Sequence, residues 1–232
     1  MKPLAIAAAV LVLLLAIYCK LDPFNLSPIA DYPHFQTFKV NMPPWSQIPK
    51  PRDAHNLLRN SRIKFSDQVQ GPESLAFDPL GRGPYTGVAD GRVVVWYGHS
   101  WSDFAYSSPN RSEICGWKPS TASYWESEHV CGRPLGLRFD SRSGELYIAD
   151  AYFGLMKVGP EGGLATTLAT EAEGVKFKFT NDLDVDDDET VYFTDRSSIH
   201  ERRNFVLLMY SAVANGRVLR YDPKTKQTNV LM

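Results

Sequence analysis

Apolar and polar positions alternate along this chain in a pattern that recurs. In the sharpest copy, residues 179–186 alternate up to an Asp, an acidic turn follows, and the β-branched and aromatic run 191–195 ends in a second Asp. Alternation of this kind indicates a half-buried strand, so each copy predicts a strand, a tight turn and a returning strand. Further copies lie at 137–150 and, more loosely, at 75–90.

Each predicted hairpin is followed by a strand that begins with glycine, and these glycines, Gly91, Gly154 and Gly216, recur at nearly equal spacing. Self-similarity at this period indicates a radial β array with insertions. We therefore predict an all-β propeller, with an ordinary antiparallel sandwich as the alternative. Since about three repeats are present and propellers close with about four to eight blades, we expect the chain to be part of a longer protein.

The first residues form an apolar run behind a single Lys2, from Pro3 to Cys19. This run is at the lower limit for spanning a bilayer and slightly long for the core of a signal peptide. We predict that residues 1–19 are a signal peptide or an uncleaved signal anchor. Both alternatives send the chain into the secretory pathway, and membrane contact is expected only through a retained anchor.

The remaining segments divide around the repeats. Residues 20–62 are rich in proline and are interpreted as a lumenal lead-in to a domain at 63–232, with an outer strand predicted at 63–65. The polar stretch 102–132 is interpreted as an insertion between blades. The apolar run 205–209 is too short for its periodicity to distinguish a helix from a loop.

The secretory prediction changes how the cysteines and sequons are interpreted. Cys19 belongs to the apolar run, so Cys115 and Cys131 remain, and in an oxidising lumen they most simply form one disulfide. Asn-x-Ser sequons occur at Asn25 and Asn110. Asn110 is the better glycosylation candidate, because it lies in a polar, serine-rich loop.

Composition excludes some functions and leaves others open. Apolar residues make up 44% of the chain and aromatic residues 12%, which is enough for a core. The formal net charge is −1, so no basic field predicts a nucleic-acid partner. The sequence has no nucleophile elbow, P-loop or dinucleotide fingerprint, and no His forms a recognisable triad with a Ser.

Two oxygen-bearing side chains share one position of the repeat. Aligning the copies on Leu75, Leu137 and Leu183 places together Glu73, Leu135 and Asn181. In a propeller the inner strands start around one mouth of the central tunnel, so Glu73 and Asn181 are expected to face a common point. Carboxylate and amide oxygens suit a hard cation, with Ca²⁺ ahead of Mg²⁺ or Mn²⁺. The alternative is that Asn181-Asp182 forms a turn and Glu73 is a solvated loop residue.

The aspartates that end strands are expected to be structural. The first group precedes turns, where carboxylates accept hydrogen bonds from backbone N–H groups, and consists of Asp78, Asp140 and Asp186. The second group ends the returning strands and consists of Asp90, Asp150 and Asp195.

Several motifs together resemble plant strictosidine synthase-like proteins. They lie at 71–74 (GPES), 81–92, 131–137 (CGRPLGL), 146–152 (LYIADAY) and 158–163, and the resemblance extends from about residue 20 onward. It implies a six-bladed propeller related to gluconolactonases and paraoxonases, and a disulfide between Cys115 and Cys131 in the inter-blade insertion. It also implies passage through the secretory pathway to the vacuole or the extracellular space, and the endoplasmic reticulum lumen is a further expected location.

The resemblance further implies a choice of chemistry. The true synthases carry a bulky aromatic residue in place of Asn181, whereas this chain retains the Asn, and Glu73 matches the first-blade Glu ligand of the hydrolase relatives. This favours a Ca²⁺-dependent hydrolase of small esters or lactones, with the catalytic residues and further ligands expected beyond Met232. Alternatives are a Pictet–Spengler condensation, which uses a Glu of a later blade, and a non-enzymatic lumenal binding propeller. The chain by itself is expected to be inactive.

Overall fold

A computed structural model describes residues 2–21, 39, 41–47, 55–57, 59–211 and 213–232. Most of the predicted lead-in, including Asn25, lies outside these residues. The chain divides into two compact units, Met1–Lys50 with Val206–Val213, and Pro51–Phe205 with Ala214–Met232.

The first unit contains the first helix of the chain and most of a second helix, which lies near residue 208. Helix α1 covers Lys2–Leu21, the segment predicted to be a signal or anchor. No helix among the described residues combines the length and hydropathy that crossing a bilayer requires. The apolar run 205–209 is helical and lies in a helix that covers Phe205–Ser211.

The described residues of the second unit form strands, the short helix α2 (Glu128–Cys131) and 3₁₀ helices at Glu113–Cys115, Thr121–Tyr124 and Arg202–Asn204. The helix at 205–211 is named α3. The strands of the described residues are β1 (Tyr85–Gly87), β2 (Arg92–Trp96), β3 (Trp101–Tyr106), β4 (Pro134–Phe139), β5 (Leu146–Asp150), β6 (Gly154–Val158), β7 (Gly163–Leu164), β8 (Thr166–Ala169), β9 (Glu171–Ala172), β10 (Val175–Lys176), β11 (Thr180–Val185), β12 (Val191–Asp195), β13 (Arg217–Asp222) and β14 (Gln227–Val230).

These strands form three four-stranded sheets. Each is built on one repeat of the sequence, except that β7, which lies between β6 and β8 in the chain, joins the sheet of the first repeat. Blade 1 has the order β1-β2-β3-β7, blade 2 the order β4-β5-β6-β8 and blade 3 the order β11-β12-β13-β14, while β9 and β10 form a separate hairpin. Paired strands within the blades are antiparallel except β3 and β7. Blade 1 also has an inner segment before β1, whose pairing with β1 is the single bridge between Ala76 and Tyr85.

The blades pack face to face through two cores. Because successive side chains of a strand point to opposite faces, Ile148 of β5 joins one core while its neighbours Tyr147 and Ala149 join the other. The first core contains Val93 and Val95 of blade 1, and the second contains residues of blade 3. All residues of β5 are therefore buried, and blade 2 is covered on both sides. Burial of this apolar area is the main source of stability.

Two boundary predictions are wrong. No strand forms at 63–65: Phe65 adopts a positive φ of 63°, and its ring packs against Trp96 and Trp101 at centroid distances of 4.7 and 5.1 Å. The insertion predicted at 102–132 begins later, because Trp101–Tyr106 forms β3 of blade 1. Exposed polar residues within β3, such as Asp103, give this strand the composition of a loop.

Candidate functional site

The inner strands of blades 2 and 3 lie side by side in matching register. A Cβ atom added to Gly136 of β4 would lie 2.7 Å from the Cα of Asp182 in β11. Two residues further along both strands, Arg138 Nε lies 2.9 Å from Asp184 Oδ1. The two residues in each of these contacts are as far apart in sequence as Leu137 and Leu183, on which the repeats were aligned. The repeat alignment made from sequence therefore corresponds to neighbouring positions in space.

Both inner strands are irregular at the aligned position. The pairing of β4 with β5 shifts register between Pro134 and Gly136, and that of β11 with β12 shifts between Thr180 and Leu183. The irregularities include Leu135 and Asn181, the residues that the alignment makes equivalent. Bulges are over-represented next to active sites because they re-aim side chains. Leu135 is buried and Asn181 is half-buried.

Glu73 lies on the other side of β4, in the inner segment of blade 1. Its side chain is 51% exposed, and its Oε2 is 3.9 Å from Nη2 of Arg133, the residue that precedes β4. Glu73 and Asn181 thus belong to the blades that flank β4, each near the start of an inner strand. The described residues show no direct contact between Glu73 and Asn181.

Two aspartates hold the chain where it enters the inner strands. Asp150 Oδ2 accepts a hydrogen bond from Arg133 N at 2.7 Å, and Asp195 Oδ1 accepts one from Phe179 N at 2.8 Å. Arg133 and Phe179 are equivalent in the repeat, so the two carboxylates perform the same structural task. Burial raises the pKa of Asp150, although the backbone donors that it accepts from act in the opposite direction.

A buried ionic cluster stands beside the start of β4. Glu128 of α2 accepts two hydrogen bonds from Arg202 Nη1, at 2.6 and 2.8 Å, and one from Tyr152 OH at 2.9 Å. Its Oε1 also lies 3.6 Å from Arg133 Nε, and the side chains of Glu128 and Arg133 are each 1% exposed. Burial and the charge of Arg202 lower the pKa of Arg133. Burial, followed by the charge of Glu128, raises the pKa of Tyr152.

Sequence reasoning missed this cluster. Glu128, Tyr152 and Arg202 are far apart along the chain, and nothing in the pattern links them. The one available signal was Arg133, a charged residue that directly precedes a run predicted to form a buried strand.

The hairpin aspartates accept backbone hydrogen bonds, as expected from their position. Asp78 Oδ1 accepts from Leu80 N and Arg82 N, and Asp140 accepts from Arg142 N and Ser143 N. Burial alone would raise the pKa of each carboxyl. For Asp78 the hydrogen bonds and charge of Arg82 outweigh burial. For Asp140 the hydrogen bonds from Ser143 make the largest contribution against burial. Both pKa values are therefore lowered.

The insertion is closed by a disulfide between Cys115 and Cys131, with an S–S distance of 2.02 Å. Cys131 is the last residue of α2 and lies two residues before Arg133, so the disulfide anchors the end of the insertion next to the ionic cluster. Asn110 of the predicted sequon is exposed in a turn near the start of the insertion.

The donors that the chain offers to a cation are few. Among the described residues no group of three or more His, Cys, Asp or Glu side chains is arranged to hold a metal ion. Glu73 and Asn181 supply one carboxylate and one amide oxygen, which are donor types that Ca²⁺ accepts. In donor type, these two side chains suit a hard cation.

Three neighbouring four-stranded blades, two of which have inner strands in matching register, define a partial propeller-type all-β fold. A family model described as strictosidine synthase matches residues 181–232, and one described as strictosidine synthase-like, N-terminal, matches residues 56–96. The chain belongs to the strictosidine synthase-like family. This agrees with the resemblance carried by its motifs.

Two curated relatives support the same assignment. Strictosidine synthase-like 3 of Arabidopsis thaliana is 61% identical over 95% of this chain and 56% of its own length. Adipocyte plasma membrane-associated protein of Salmo salar is 43% identical over 75% of this chain and 40% of its own. The chain spans about half the length of the curated relatives it matches. A solved gluconolactonase of Xanthomonas campestris aligns with a TM-score of 0.48 at 14% identity, covering 72% of this chain and 49% of its own.

Proposed function

We propose that the full-length protein is a metal-dependent hydrolase of small esters or lactones, with Glu73 and Asn181 as two of its Ca²⁺ ligands. The observation that carries the proposal is the irregularity of β11 at Asn181, beside the strand whose other neighbour carries Glu73. At the equivalent place blade 2 has the apolar Leu135. An amide at a position where the same fold accommodates leucine is better explained by binding than by packing.

The residues of this chain have defined tasks in the proposal. When bound, Ca²⁺ would polarise the substrate carbonyl and stabilise the oxyanion. Glu73, whose side chain is half-exposed, supplies the anionic oxygen, and the irregular start of β11 directs the Asn181 amide. The remaining ligands and the groups that activate water are assigned to the part of the full-length protein that this chain does not cover, so this chain alone is expected to show no turnover.

Calorimetric titration of the full-length protein with Ca²⁺ tests the proposal. Glu73→Gln removes the charge, and Asn181→Leu installs the residue found at the equivalent position of blade 2. Each change is expected to weaken Ca²⁺ binding by about tenfold or more and to lower hydrolysis of a panel of aryl esters and lactones. Glu161→Gln, at an exposed hairpin residue, is the matched control and should leave both unchanged.

Different results would favour the alternatives. Absence of Ca²⁺ binding, or equal binding by the wild type and both variants, would end the metal proposal. Metal-independent condensation of an aromatic amine with an aldehyde would favour the Pictet–Spengler reaction, although the retained Asn181 argues against it. Ligand binding without turnover of either kind would favour a binding propeller.

We also propose that the protein enters the secretory pathway, since an apolar first helix, a disulfide and an exposed sequon occur together. Expression in plant cells with and without glycosidase treatment tests this. The wild type should gain mobility on treatment, and Asn110→Gln should migrate like the treated wild type. An untreated protein of unmodified mass would contradict glycosylation at Asn110.

A further inference from the structure

The segment that carries Glu73 is held differently from its counterparts in the other blades. Strands β4 and β11 are tied to their neighbours by ladders of several residue pairs. The inner segment of blade 1 pairs with β1 through the single bridge at Ala76, and earlier in the chain Gln70 O accepts a hydrogen bond from Ala89 N. Regular sheet pairing therefore does not fix the backbone around Glu73.

Arg133 contacts the segment that carries Glu73. Its Nη2 donates a hydrogen bond to Gly71 O at 2.7 Å and lies 3.9 Å from Glu73 Oε2. Gly71 has a φ of 58°, a conformation that glycine adopts without steric cost, and a Cβ atom there would lie 3.3 Å from the same Nη2. One guanidinium nitrogen thus contacts the backbone two residues before Glu73 and approaches its carboxylate.

Arg133 is held both at its backbone and at its side chain. Its backbone N–H is bound by Asp150, and its Nε, which has no hydrogen-bond partner among the described residues, faces Glu128 Oε1 at 3.6 Å. Glu128 is held in turn by Arg202 and Tyr152. A buried guanidinium is costly unless it is paired, and Glu128 is the buried carboxylate that faces the Arg133 Nε.

We propose that Arg133 is a positioning residue for Glu73, and that Glu128 keeps its guanidinium directed at the Gly71 carbonyl. The inference rests on the proposed function, which gives Glu73 its role as a ligand. An ion pair with a half-exposed carboxylate contributes little energy, so Arg133 acts chiefly through the Gly71 hydrogen bond. The insertion closed by the disulfide therefore helps to position Arg133, since its helix α2 provides Glu128 and ends next to Arg133.

The variant Arg133→Lys tests the proposal, because it keeps the charge and loses the planar set of donors. In the full-length protein, Ca²⁺ affinity measured by calorimetry is expected to fall about tenfold, as for other partners of metal ligands. In the metal-free protein, amide hydrogen exchange of residues 71–76 is expected to accelerate. Arg92→Lys, at an arginine of blade 1 paired with Asp90, is the matched control and should change neither quantity.

A double-mutant cycle distinguishes positioning from general destabilisation. In the Glu73→Gln background, at raised Ca²⁺ concentration, Arg133→Lys is expected to cause no further loss of affinity, because it acts through Glu73. A full additional loss would overturn the proposal. Should Arg133→Lys fail to fold, Glu128→Gln replaces it, with the same two readouts expected to change in the same direction.

The remaining outcomes separate this inference from the proposed function. Unchanged affinity and exchange in Arg133→Lys, with binding lost in Glu73→Gln, would overturn the positioning role and leave the metal site standing. Equal Ca²⁺ affinity of the wild type and Glu73→Gln would end the proposed function and the positioning role with it. In that case faster exchange at 71–76 would show a purely structural contact.

Discussion

Arg217 Nη2 donates a hydrogen bond to Asp195 Oδ2 at 2.6 Å, and the two side chains are only 11% and 0% exposed. The residues face each other across β12 and β13. Since Asp195 also accepts the backbone hydrogen bond of Phe179 just before β11, this buried pair fixes the place where the chain turns into the inner strand of blade 3.

Removing the arginine should therefore be costly. Arg217→Met leaves the buried Asp195 carboxylate without its counter-charge, and the free energy of unfolding is expected to fall by about 3 kcal/mol. Arg138→Met is the control, because the Arg138–Asp184 side chains are 58% and 69% exposed and such a pair contributes about 0–1 kcal/mol. Urea denaturation measures both, and equal losses would contradict the distinction between buried and exposed pairs.

The contact between β4 and β11 requires a glycine. Gly136→Ala would place a Cβ atom 2.7 Å from Asp182 Cα, and since both atoms belong to or adjoin backbone, the strands must separate. We expect a loss of about 1–3 kcal/mol, as for other overpacked sites, and weaker Ca²⁺ binding through the displaced Asn181. Gly159→Ala is the matched control, since nothing lies within 4 Å of its added Cβ, and thermal unfolding should not distinguish it from the wild type.

The disulfide is expected to stabilise the second unit by restricting its unfolded state. Cys115 and Cys131 are 16 residues apart, and closing a loop of this length contributes about 3 kcal/mol on the chain-entropy estimate. The paired Cys115→Ser and Cys131→Ser variant should lose about this amount in urea denaturation under oxidising conditions. Under reducing conditions the wild type should converge on the variant; a persistent difference would point to a cause other than the cross-link.

Acid should destabilise the protein through its hairpin carboxylates. The pKa values of Asp78 and Asp140 are lower in the folded protein than their usual value. Their contribution is therefore complete above about pH 4, the ordinary Asp pKa, and is lost as the pH falls through the lower folded-state values.

The double variant Asp78→Asn and Asp140→Asn should show a smaller loss of stability between about pH 4 and pH 2 than the wild type. Asp186→Asn, at an exposed hairpin residue that accepts one backbone hydrogen bond, is the control. Chemical denaturation at a series of pH values measures the slopes. A double variant with the slope of the wild type would mean that other groups dominate the acid response.

The repeats were predictable because strand periodicity is a local property. Alternation and turn residues indicate the hairpins of blades 2 and 3, and aligning their leucines makes Leu135 and Asn181 equivalent from sequence alone. The strand at Trp101–Tyr106 was not recognised, because its polar residues face outward and resemble a loop. The segment 63–65 forms no strand, since Phe65 has a positive φ and its ring packs against two tryptophans.

By itself the sequence determined the all-β class, the repeat register, the disulfide partners and the two candidate oxygen donors, because each follows from residue type and spacing along the chain. Only the tertiary structure decided that Arg133 contacts Gly71 and approaches Glu73, and that Glu128, Tyr152 and Arg202 meet beside it. The physical reason is that buried charges must find partners wherever the fold brings them together, and the sequence separation of those partners carries no periodic signal.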